Sequence, residues 1–255
     1  QADGVFLDNS NGKLPFAGTP VKESVGSFTQ DLAAMVGAVE RALPGKWVVA
    51  NTAGSIGEGD PIASASTAAF EEFLLRPNDH NWSNVIDVQN KVNARLATGS
   101  YVLLDTHAGS GSITSERTRM GALSYYYLLA DPDDTFLMFF GGQSPSAAWG
   151  SVFVQAATYN VGKPKGAMST FASGADPQNA SLTYKVYGRE YDNALALYKP
   201  LSYALGKGTG TAGDATATTH QLNGRYRQLY SDGSLGAVVT SVTLRNGEGV
   251  VLVKA

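Results

Sequence analysis

The sequence predicts an α/β protein in which a parallel sheet covered by helices precedes a smaller antiparallel β-sandwich. Two observations indicate this order. From residue 1 to about 145, short apolar runs alternate with helix-like stretches, which is the βαβ pattern of a parallel sheet. From about residue 178, β-rich segments follow one another with turn signals and no helix between them. The expected domains are therefore 1–165 and 178–255.

Five apolar runs are the predicted parallel strands. Each is short and nearly uninterrupted, as expected of a strand buried on both faces. They are GVFLD (4–8), WVVAN (47–51), AFEEFLL (69–75), YVLLD (101–105) and TFLMFF (135–140).

Three longer stretches between these runs carry apolar residues at helical spacing. The first offers Ser27 or Thr29 as N-cap, and the second ends in Gly99. The stretches are 27–43, 82–99 and 113–131. A parallel sheet covered in this way is either an α/β barrel or a doubly wound sheet.

The C-terminal part is punctuated by turns. Asp232-Gly233 and Asn246-Gly247 are typical hairpin turns between β-rich segments. The glycine-rich stretch 206–213 lies between predicted strands and opens no helix, so it indicates a hairpin loop rather than a phosphate-binding loop. Residues 160–178, rich in Gly, Pro and Ser, are the predicted linker.

Composition excludes several classes of function. The chain has 255 residues, 43% of them hydrophobic, which is enough for a substantial core. With 19 basic and 22 acidic residues it has no general attraction for nucleic acid, and no apolar run reaches the length of a membrane span. The absence of cysteine excludes disulfides and thiol catalysis. Three histidines without a ligand motif, and no nucleotide fingerprint, predict neither a metal nor a cofactor.

Polar residues follow the predicted strands where each run ends. The C-terminal ends of parallel strands meet on one face of a barrel, and they rim the binding crevice of an open sheet. An Asp after a strand is also a common turn former or helix cap. Asp8 lies nearly twenty residues before the next predicted N-cap, so the role of helix cap suits it poorly. The residues are Asp8, Asn9, Asn51, Glu71, Glu72, Asp105, His107 and Gln143.

Glu71 and Glu72 interrupt one apolar run. In an extended strand neighbouring side chains point to opposite faces of the sheet. One glutamate can therefore face the mouth of the barrel, where the strand ends meet, while the other faces the helices. We favour Glu72 for the mouth because it directly precedes the apolar residues 73–75.

Four segments together resemble glycoside-hydrolase-like (β/α)8 barrels with a C-terminal β-sandwich. They are DGVFLDN, WVVANTAG, FEEF and YGREYDNALALYKP, and the resemblance extends over most of the chain. It implies a TIM-type barrel of which this sequence holds only the last five βα units. It also implies a secreted or cell-surface bacterial glycosidase acting on a poly- or oligosaccharide, a location that the low charged content of 16% also favours.

The chemistry of glycoside cleavage assigns roles to the carboxyl groups. One must protonate the leaving oxygen, and the other must act as nucleophile or base. Asp8, among Asn and Ser donors, is the expected nucleophile or base. Glu72 is the expected acid because Phe70 and Phe73 flank it with apolar surface that favours its protonated form.

Asp105 is a third catalytic candidate, which could stabilise positive charge on the sugar or orient His107. The remaining residues at the strand ends are expected to bind substrate, together with two aromatic side chains on which a sugar ring can stack. The alternative for these aromatic residues is a role in the packing of the fold. The substrate-binding candidates are Asn9, Asn51, Glu71, His107, Trp82, Trp149 and Gln143.

A closed barrel of this class needs eight strands, and the sequence offers five. The other three βα units either precede this sequence or come from another polypeptide, or else the fold is an open five-stranded sheet. We favour the first, because half a barrel would expose two long sheet edges.

Two other functions remain open at this stage. The barrel can be a non-catalytic carbohydrate-binding or extracellular structural protein, because fold does not fix function. Asp105 and His107 can also form the proton-transfer pair of a lyase or sugar epimerase.

Overall fold

The computed structural model describes residues 2–11, 24–52, 60–72, 79–106, 115–139 and 154–255. The chain divides into two compact units, each assembled from several segments. Unit 1 is Gln1–Leu74, Val88–Thr106 and Asp133–Met138, and unit 2 is Leu75–Asp87, His107–Pro132 and Phe139–Ala255. None of the helices in the described ranges is long and apolar enough to cross a membrane.

Unit 1 is built on a sheet of five parallel strands that lie side by side in chain order. The prediction of a parallel sheet is therefore confirmed. The strands are β1 (Gly4–Leu7), β2 (Trp47–Asn51), β3 (Ala68–Glu71), β4 (Tyr101–Asp105) and β5 (Thr135–Met138). The helices that follow the first four strands are α1 (Val25–Ala42), α2 (Asp60–Ser64), α3 (Trp82–Leu96) and α4 (Glu116–Leu129).

The helix starts differ from those the sequence predicted. The N-cap of α1 is Ser24, whose hydroxyl accepts a hydrogen bond of 3.2 Å from the backbone N–H of Ser27. The predicted caps, Ser27 and Thr29, lie inside the helix. Helix α2 was not predicted, because its five residues are too few to show a helical period.

The two faces of the parallel sheet carry different side chains. Val48 and Ala50 of β2 pack against Val36 of α1 and Ile62 of α2 in a buried apolar cluster. These residues alternate along β2 with Trp47 and the other side chains of the opposite face. Helices α1 and α2 therefore cover the same side of the sheet.

The opposite side, which we call the aromatic face, carries large rings. Trp47 stacks on Tyr101 with ring centres 5.0 Å apart, and Phe136 packs edge-on against Trp47. Phe6 meets Phe70 edge-on at 5.5 Å. Phe6 is 54% exposed and Phe136 is 45% exposed, so much of this face is open to solvent.

A buried ion pair joins α3 to the helix-covered side of the sheet. Arg95 Nε donates to Glu71 Oε1 at 2.5 Å, and the guanidinium also pairs with Asp60 of α2. Thr52 Oγ1 donates to the same glutamate oxygen at 2.9 Å. Burial lowers the pKa of Arg95 to about 10, which leaves it charged at neutral pH. Arg95 and Glu71 are each 1% exposed, so this pair is part of the core.

Unit 2 contains a sheet of six strands in which every neighbouring pair is antiparallel. The order across the sheet is β10, β9, β11, β8, β7 and β6. The predicted sandwich would have two sheets, whereas all six strands here belong to one. They are β6 (Ser169–Ala175), β7 (Thr183–Glu190), β8 (Ala194–Lys199), β9 (Thr218–Leu229), β10 (Leu235–Leu244) and β11 (Glu248–Lys254).

The connections in unit 2 follow the turn signals, with one exception. Gly233 and Gly247 have φ of 84° and 75°, which suits glycine in the turns before β10 and β11. The stretch 206–213 lies in the connection between β8 and β9 and opens no α-helix. Strand β6 was missed, since it falls in the segment predicted as a linker.

One face of the antiparallel sheet forms its own core. Val186, Leu197, Tyr226, Leu244 and Leu252, from five different strands, belong to a single buried cluster. Side chains of β6, at the opposite edge from β10, pack against it as well. The sheet is therefore curled, and its two edges contribute to one core as the two layers of a sandwich would.

The other face of the curled sheet is covered by α4. The ring of Tyr125 in α4 stacks on Tyr198 of β8, with centres 4.7 Å apart. A Cβ atom at Gly249 of β11 would lie 1.8 Å from the hydroxyl oxygen of Ser124, so no larger residue fits under the helix. Tyr125 and Tyr198 are fully buried.

Unit 2 also buries two polar networks. Lys199 is 0% exposed, and its Nζ donates to Thr218 Oγ1 at 2.8 Å and to the Thr216 carbonyl oxygen at 2.5 Å. Burial lowers the pKa of Lys199 to about 8. Both oxygens are uncharged, so this ammonium is held without a directly bonded carboxylate.

The second network surrounds Asp176, which is 3% exposed. Asn246 Nδ2 donates to its carboxylate at 2.9 Å, the Gln178 N–H donates at 2.8 Å, and the Asn179 N–H and Ser202 hydroxyl complete the set. Burial raises the pKa of Asp176, but these hydrogen bonds outweigh it and bring the pKa below its ordinary value. The carboxylate closes the turn that precedes β7.

Candidate active site

The first strand ends in a tight turn that exposes a carboxylate. Ser10 Oγ donates to the Leu7 carbonyl oxygen at 3.1 Å, and Asn9 has a φ of 54°, in the left-handed region that Asn tolerates better than most residues. Asn9 Nδ2 also donates to Asp8 Oδ2 at 3.2 Å. Asp8 and Asn9 are both exposed, so the turn presents the carboxylate to solvent.

The neighbouring strand supplies an amide that joins two carboxylates. Asn51, the last residue of β2, donates from the same Nδ2 atom to Asp8 Oδ1 at 2.9 Å and to Glu72 Oε2 at 3.0 Å. Asn51 is 3% exposed, and β2 lies between β1 and β3 in the sheet. The ends of three adjacent strands thus bring Asp8, Asn51 and Glu72 together, as the sequence predicted for Asp8 and Glu72.

The shared amide fixes the separation of the two carboxyl groups. Because both acceptors are bonded to one nitrogen, Asp8 Oδ1 and Glu72 Oε2 lie within about 6 Å of one another, the sum of the 2.9 and 3.0 Å bonds. Each hydrogen of a side-chain amide can serve one acceptor. Two carboxyl groups held this close together can act together on one bond of a small molecule.

The two adjacent glutamates have different surroundings, as strand alternation requires. Glu72 is half-buried and reaches Asn51. Glu71 points to the helix-covered side, where Arg95 and Thr52 bind its carboxylate. Glu71 is 1% exposed and is part of the core on that side, and its expected role in substrate binding stays a prediction.

Asp105 ends β4, one strand further along the sheet than Glu72. In the sheet register it lies opposite Met138 of β5, and the following Thr106 N–H donates to the Met138 carbonyl at 3.2 Å. The side chain of Asp105 is 1% exposed. It is therefore at the predicted edge of the sheet but is enclosed rather than open to solvent.

Trp82 is not part of this edge. It begins α3 in unit 2, where its indole N–H donates to the Tyr203 carbonyl at 3.0 Å. The Lys185 ammonium lies 4.1 Å from the centre of its ring. One ring face thus carries a cation, and the expected stacking of a sugar on Trp82 stays a prediction.

Three other predicted residues, His107, Gln143 and Trp149, lie outside the described residues, as does Phe73. Within the ranges that the structure describes, no three His, Asp or Glu side chains are grouped so as to hold a metal ion. The sequence identified Asn51 only as a substrate-binding candidate. Its position on the strand between the two carboxylates was the available signal for its bridging role.

Comparisons with known proteins give only distant likenesses. Neither a protein-family model nor a curated protein sequence matches the chain. Among solved structures, Amy13B of Eubacterium rectale is similar over 91% of this chain and 57% of its own, with 9% identity and a TM-score of 0.44.

Two further solved structures show a weaker likeness. A gamma-CGTase from alkalophilic Bacillus clarkii covers 88% of this chain, with 38% of its own length matched, 10% identity and a TM-score of 0.39. A glucosidase from Croceicoccus marinus covers 98%, with 68% of its own length matched, 12% identity and a TM-score of 0.30. All three scores lie below 0.5, so the function proposed below rests on the geometry of unit 1.

Proposed function

We propose that the protein is a glycoside hydrolase that cleaves a poly- or oligosaccharide with Asp8 and Glu72 as its carboxyl pair. The observation that carries this proposal is the double hydrogen bond of Asn51, which holds both carboxyl groups about 6 Å apart or closer at the ends of adjacent strands. Glycoside cleavage requires two carboxyl groups at such a separation.

The separation favours a double-displacement mechanism. Retaining enzymes place their carboxyl groups roughly 5 to 5.5 Å apart, whereas inverting enzymes keep them about 6.5 to 9.5 Å apart to admit a water. The Asn51 hydrogen bonds bring one oxygen of each carboxyl group within about 6 Å of the other, which is compatible with the first range. The product is therefore expected to keep the configuration of the cleaved bond.

Each carboxyl group has a defined part in this mechanism. Asp8, oriented by the amides of Asn9 and Asn51, attacks the anomeric carbon while Glu72 gives its proton to the glycosidic oxygen. The bond to the leaving sugar breaks and a glycosyl ester of Asp8 forms. Glu72, now ionised, takes a proton from a water whose oxygen displaces the Asp8 carboxylate.

Asn51 acts as a positioning residue in both steps. Its two N–H groups each hold one oxygen of a carboxyl group, which fixes the orientation of both groups, and the burial of Asn51 keeps the amide from rotating away. Asp105, enclosed at the end of β4, is proposed to stabilise the positive charge that develops on the sugar. Asn9, His107, Gln143 and Trp149 remain proposed substrate contacts.

The arrangement of unit 1 supports a barrel rather than a doubly wound sheet. The five strands follow one another without the reversal of order that defines a doubly wound sheet. Residues of α1, α2 and α3 all meet the same side of the sheet, through Val36, Ile62 and Arg95. The solvent-exposed aromatic face would then be the inner side of a barrel wall.

The test begins with a screen of polysaccharides for released reducing ends, followed by variants on the best substrate. Glu72→Gln is expected to lower the rate by about 10² to 10⁴ on the natural linkage, because the proton donor is lost. With a dinitrophenyl glycoside, whose leaving group needs no proton, much of the loss should disappear. Asp8→Asn should lower both rates by at least about 10³.

The matched control is Asp31→Asn, which removes an exposed carboxylate on α1 and should leave hydrolysis unchanged. NMR of the first-formed product gives the stereochemistry, and inversion would contradict the double-displacement mechanism. Full activity of both Asp8→Asn and Glu72→Gln would end the glycosidase proposal. Binding of a glycan without any hydrolysis would favour the non-catalytic carbohydrate-binding alternative.

A further inference from the structure

We infer that unit 2 carries a second saccharide-binding site, separate from the carboxyl pair, in a cavity of about 290 Å³ at the mouth of the curled sheet. The cavity is lined by Lys165, Ser169, Phe171, Glu190, Asn223 and Tyr226, among others. Its ligand is one ring of a neutral sugar, and the site does not depend on whether Asp8 and Glu72 hydrolyse glycans.

The curl of the sheet creates this cavity. Phe171 belongs to the edge strand β6, and Tyr226 belongs to β9, which three strands separate from β6 in the hydrogen-bonded order. The two rings nevertheless line the same cavity and contact the same core. A flat sheet would hold β6 and β9 about 19 Å apart, so the site exists only because the sheet bends back on itself.

The cavity has an apolar floor and a polar rim. Tyr226 and Leu195 at the floor are 6% and 5% exposed, and Phe171 is half-buried. Lys165, Glu190 and Asn223 on the rim are exposed. Within residues 154–255, which the structure describes without a gap, no hydrogen bond engages these three rim side chains. They are therefore available to a ligand.

The rim offers every type of hydrogen-bonding partner. Lys165 donates, the Glu190 carboxylate accepts, and the Asn223 amide does both. Burial raises the pKa of Tyr226, and the nearby charge of Glu190 raises it further, so the phenol remains a donor at neutral pH. Ring hydroxyls of a sugar each donate one hydrogen bond and accept others, which is the pattern that such a mixed rim satisfies.

The charges on the rim and the volume of the cavity restrict the class of ligand further. Lys165 and Glu190 carry opposite charges on the same rim, so the site favours neither an anion nor a cation. A volume near 290 Å³ lies at the lower end of small-molecule pockets, which suits one sugar ring rather than a long chain. The C–H face of that ring can pack on Phe171 and Tyr226.

The experiment uses the whole chain, labelled with ¹⁵N, and titrates it with glucose, galactose, mannose, N-acetylglucosamine and the disaccharides maltose and cellobiose. At least one neutral sugar should shift the amide signals of residues that line the cavity, such as Gly166 and Asn223. Glucosamine and glucuronic acid serve as charged counterparts and should bind more weakly. Shifts at no cavity amide with any of these sugars would overturn the inference.

Two variants and a matched control locate the binding. Asn223→Ala and Glu190→Gln should each weaken it by about tenfold, because the first removes a hydrogen-bonding partner from the rim and the second replaces a charged acceptor with a weaker neutral one. Gln221→Ala removes an exposed amide two residues away in β9, outside the cavity lining, and should change nothing. Binding that survives Asn223→Ala and Glu190→Gln together would show that the sugar binds elsewhere.

The same titration on the double variant Asp8→Asn with Glu72→Gln separates this inference from the proposed function. Undiminished shifts at the cavity amides are expected, whether or not hydrolysis is lost. Loss of those shifts in the double variant would contradict the inference, because it would tie the binding to the carboxyl pair of unit 1.

Discussion

The two units contain the same hydrogen bond in opposite settings. In unit 1, Asn51 Nδ2 donates to Asp8 at 2.9 Å, and in unit 2, Asn246 Nδ2 donates to Asp176 at 2.9 Å. Asp8 is exposed, and its asparagine also binds a second carboxyl group. Asp176 is 3% exposed, and four donors surround it.

The difference shows that the type of residue does not decide its role. A carboxylate that is fully enclosed by donors has no capacity left for a ligand, and it stabilises the turn that the donors belong to. A carboxylate that is bonded on one side and open on the other is oriented but still able to react. The paired asparagines therefore give a direct test of catalytic positioning against structural bonding.

The largest expected effect is on the free energy of unfolding, and it should distinguish Glu71 from Glu72. Glu71→Ala leaves the buried Arg95 without its buried carboxylate partner and should lower the free energy of unfolding by about 3 to 5 kcal/mol. Urea unfolding followed by circular dichroism measures this. Glu72→Gln is the neighbouring control and should change stability by less than about 1 kcal/mol. Equal destabilisation by both variants would show that Glu72 is structural too.

The next effect concerns the positioning amide. Asn51→Ala should lower the hydrolysis rate by about 10²-fold, mostly in kcat, because both carboxyl groups lose their shared donor while each remains present. Steady-state kinetics on the best substrate measures it. Asn51→Asp, which replaces the donor with a third carboxylate, should not restore the rate. An unchanged kcat in Asn51→Ala would remove the positioning role.

Substitution of Asn246, the counterpart of Asn51 in unit 2, should change the stability of the fold rather than the rate of hydrolysis. Asn246→Ala should cost about 1 to 3 kcal/mol, since it leaves buried Asp176 with fewer donors. A carboxylate with a lowered pKa stabilises the fold above its ordinary unfolded value and loses this contribution as the pH falls through the folded value. The acid unfolding midpoint should therefore move to higher pH. An unchanged midpoint would mean that the other donors suffice.

The smallest effect is a pH dependence in unit 2. The pKa of Lys199 falls from 10.5 to about 8 on burial, so the unfolded state binds more protons between these values and stability rises with pH. From pH 8 to 9.5 the rise should be about 1 to 2 kcal/mol. Lys199→Met should remove it when urea unfolding is compared at several pH values.

The range from pH 8 to 9.5 also lies below the titration of buried tyrosines, which would lower the stability as the pH rises. Burial raises the pKa of Tyr187 and Tyr191 to about 12, so their stabilising contribution is complete below pH 10 and is lost only above it. The difference between wild type and Lys199→Met cancels what the tyrosines contribute. A rise with pH that persists in Lys199→Met would assign the dependence to other groups.

The parallel sheet and its polar edge were predictable from local patterns. Continuous apolar runs indicated β2 and β4 with correct bounds, and the position of Asp8 and Glu72 after strands indicated that they would meet. Alternation also separated Glu71 from Glu72 before any coordinates were known. These features depend on the two-residue period of a strand and on the common direction of parallel strands. Both can be inferred from the order of apolar and polar residues along the chain.

Features that depend on distant partners were not predictable in this way. The shared amide of Asn51 requires the order of three strands, and the burial of Lys199 requires acceptors from the segment 216–218. The curl of the antiparallel sheet brings β6 to the core of β9, although 169–175 reads as a linker rich in small residues. The hydrogen bond from Trp82 to Tyr203 was not predictable either, because these two residues lie far apart along the chain.

The contact between Gly249 and Ser124 has a practical consequence for dissecting the protein. Helix α4, which covers one face of the antiparallel sheet, precedes β5 in the sequence. A fragment that starts at residue 139 would therefore lack this helix. Tyr198 and Val251 would then face water, and such a fragment should aggregate when expressed alone. Co-producing a peptide that spans 115–131 should rescue its solubility.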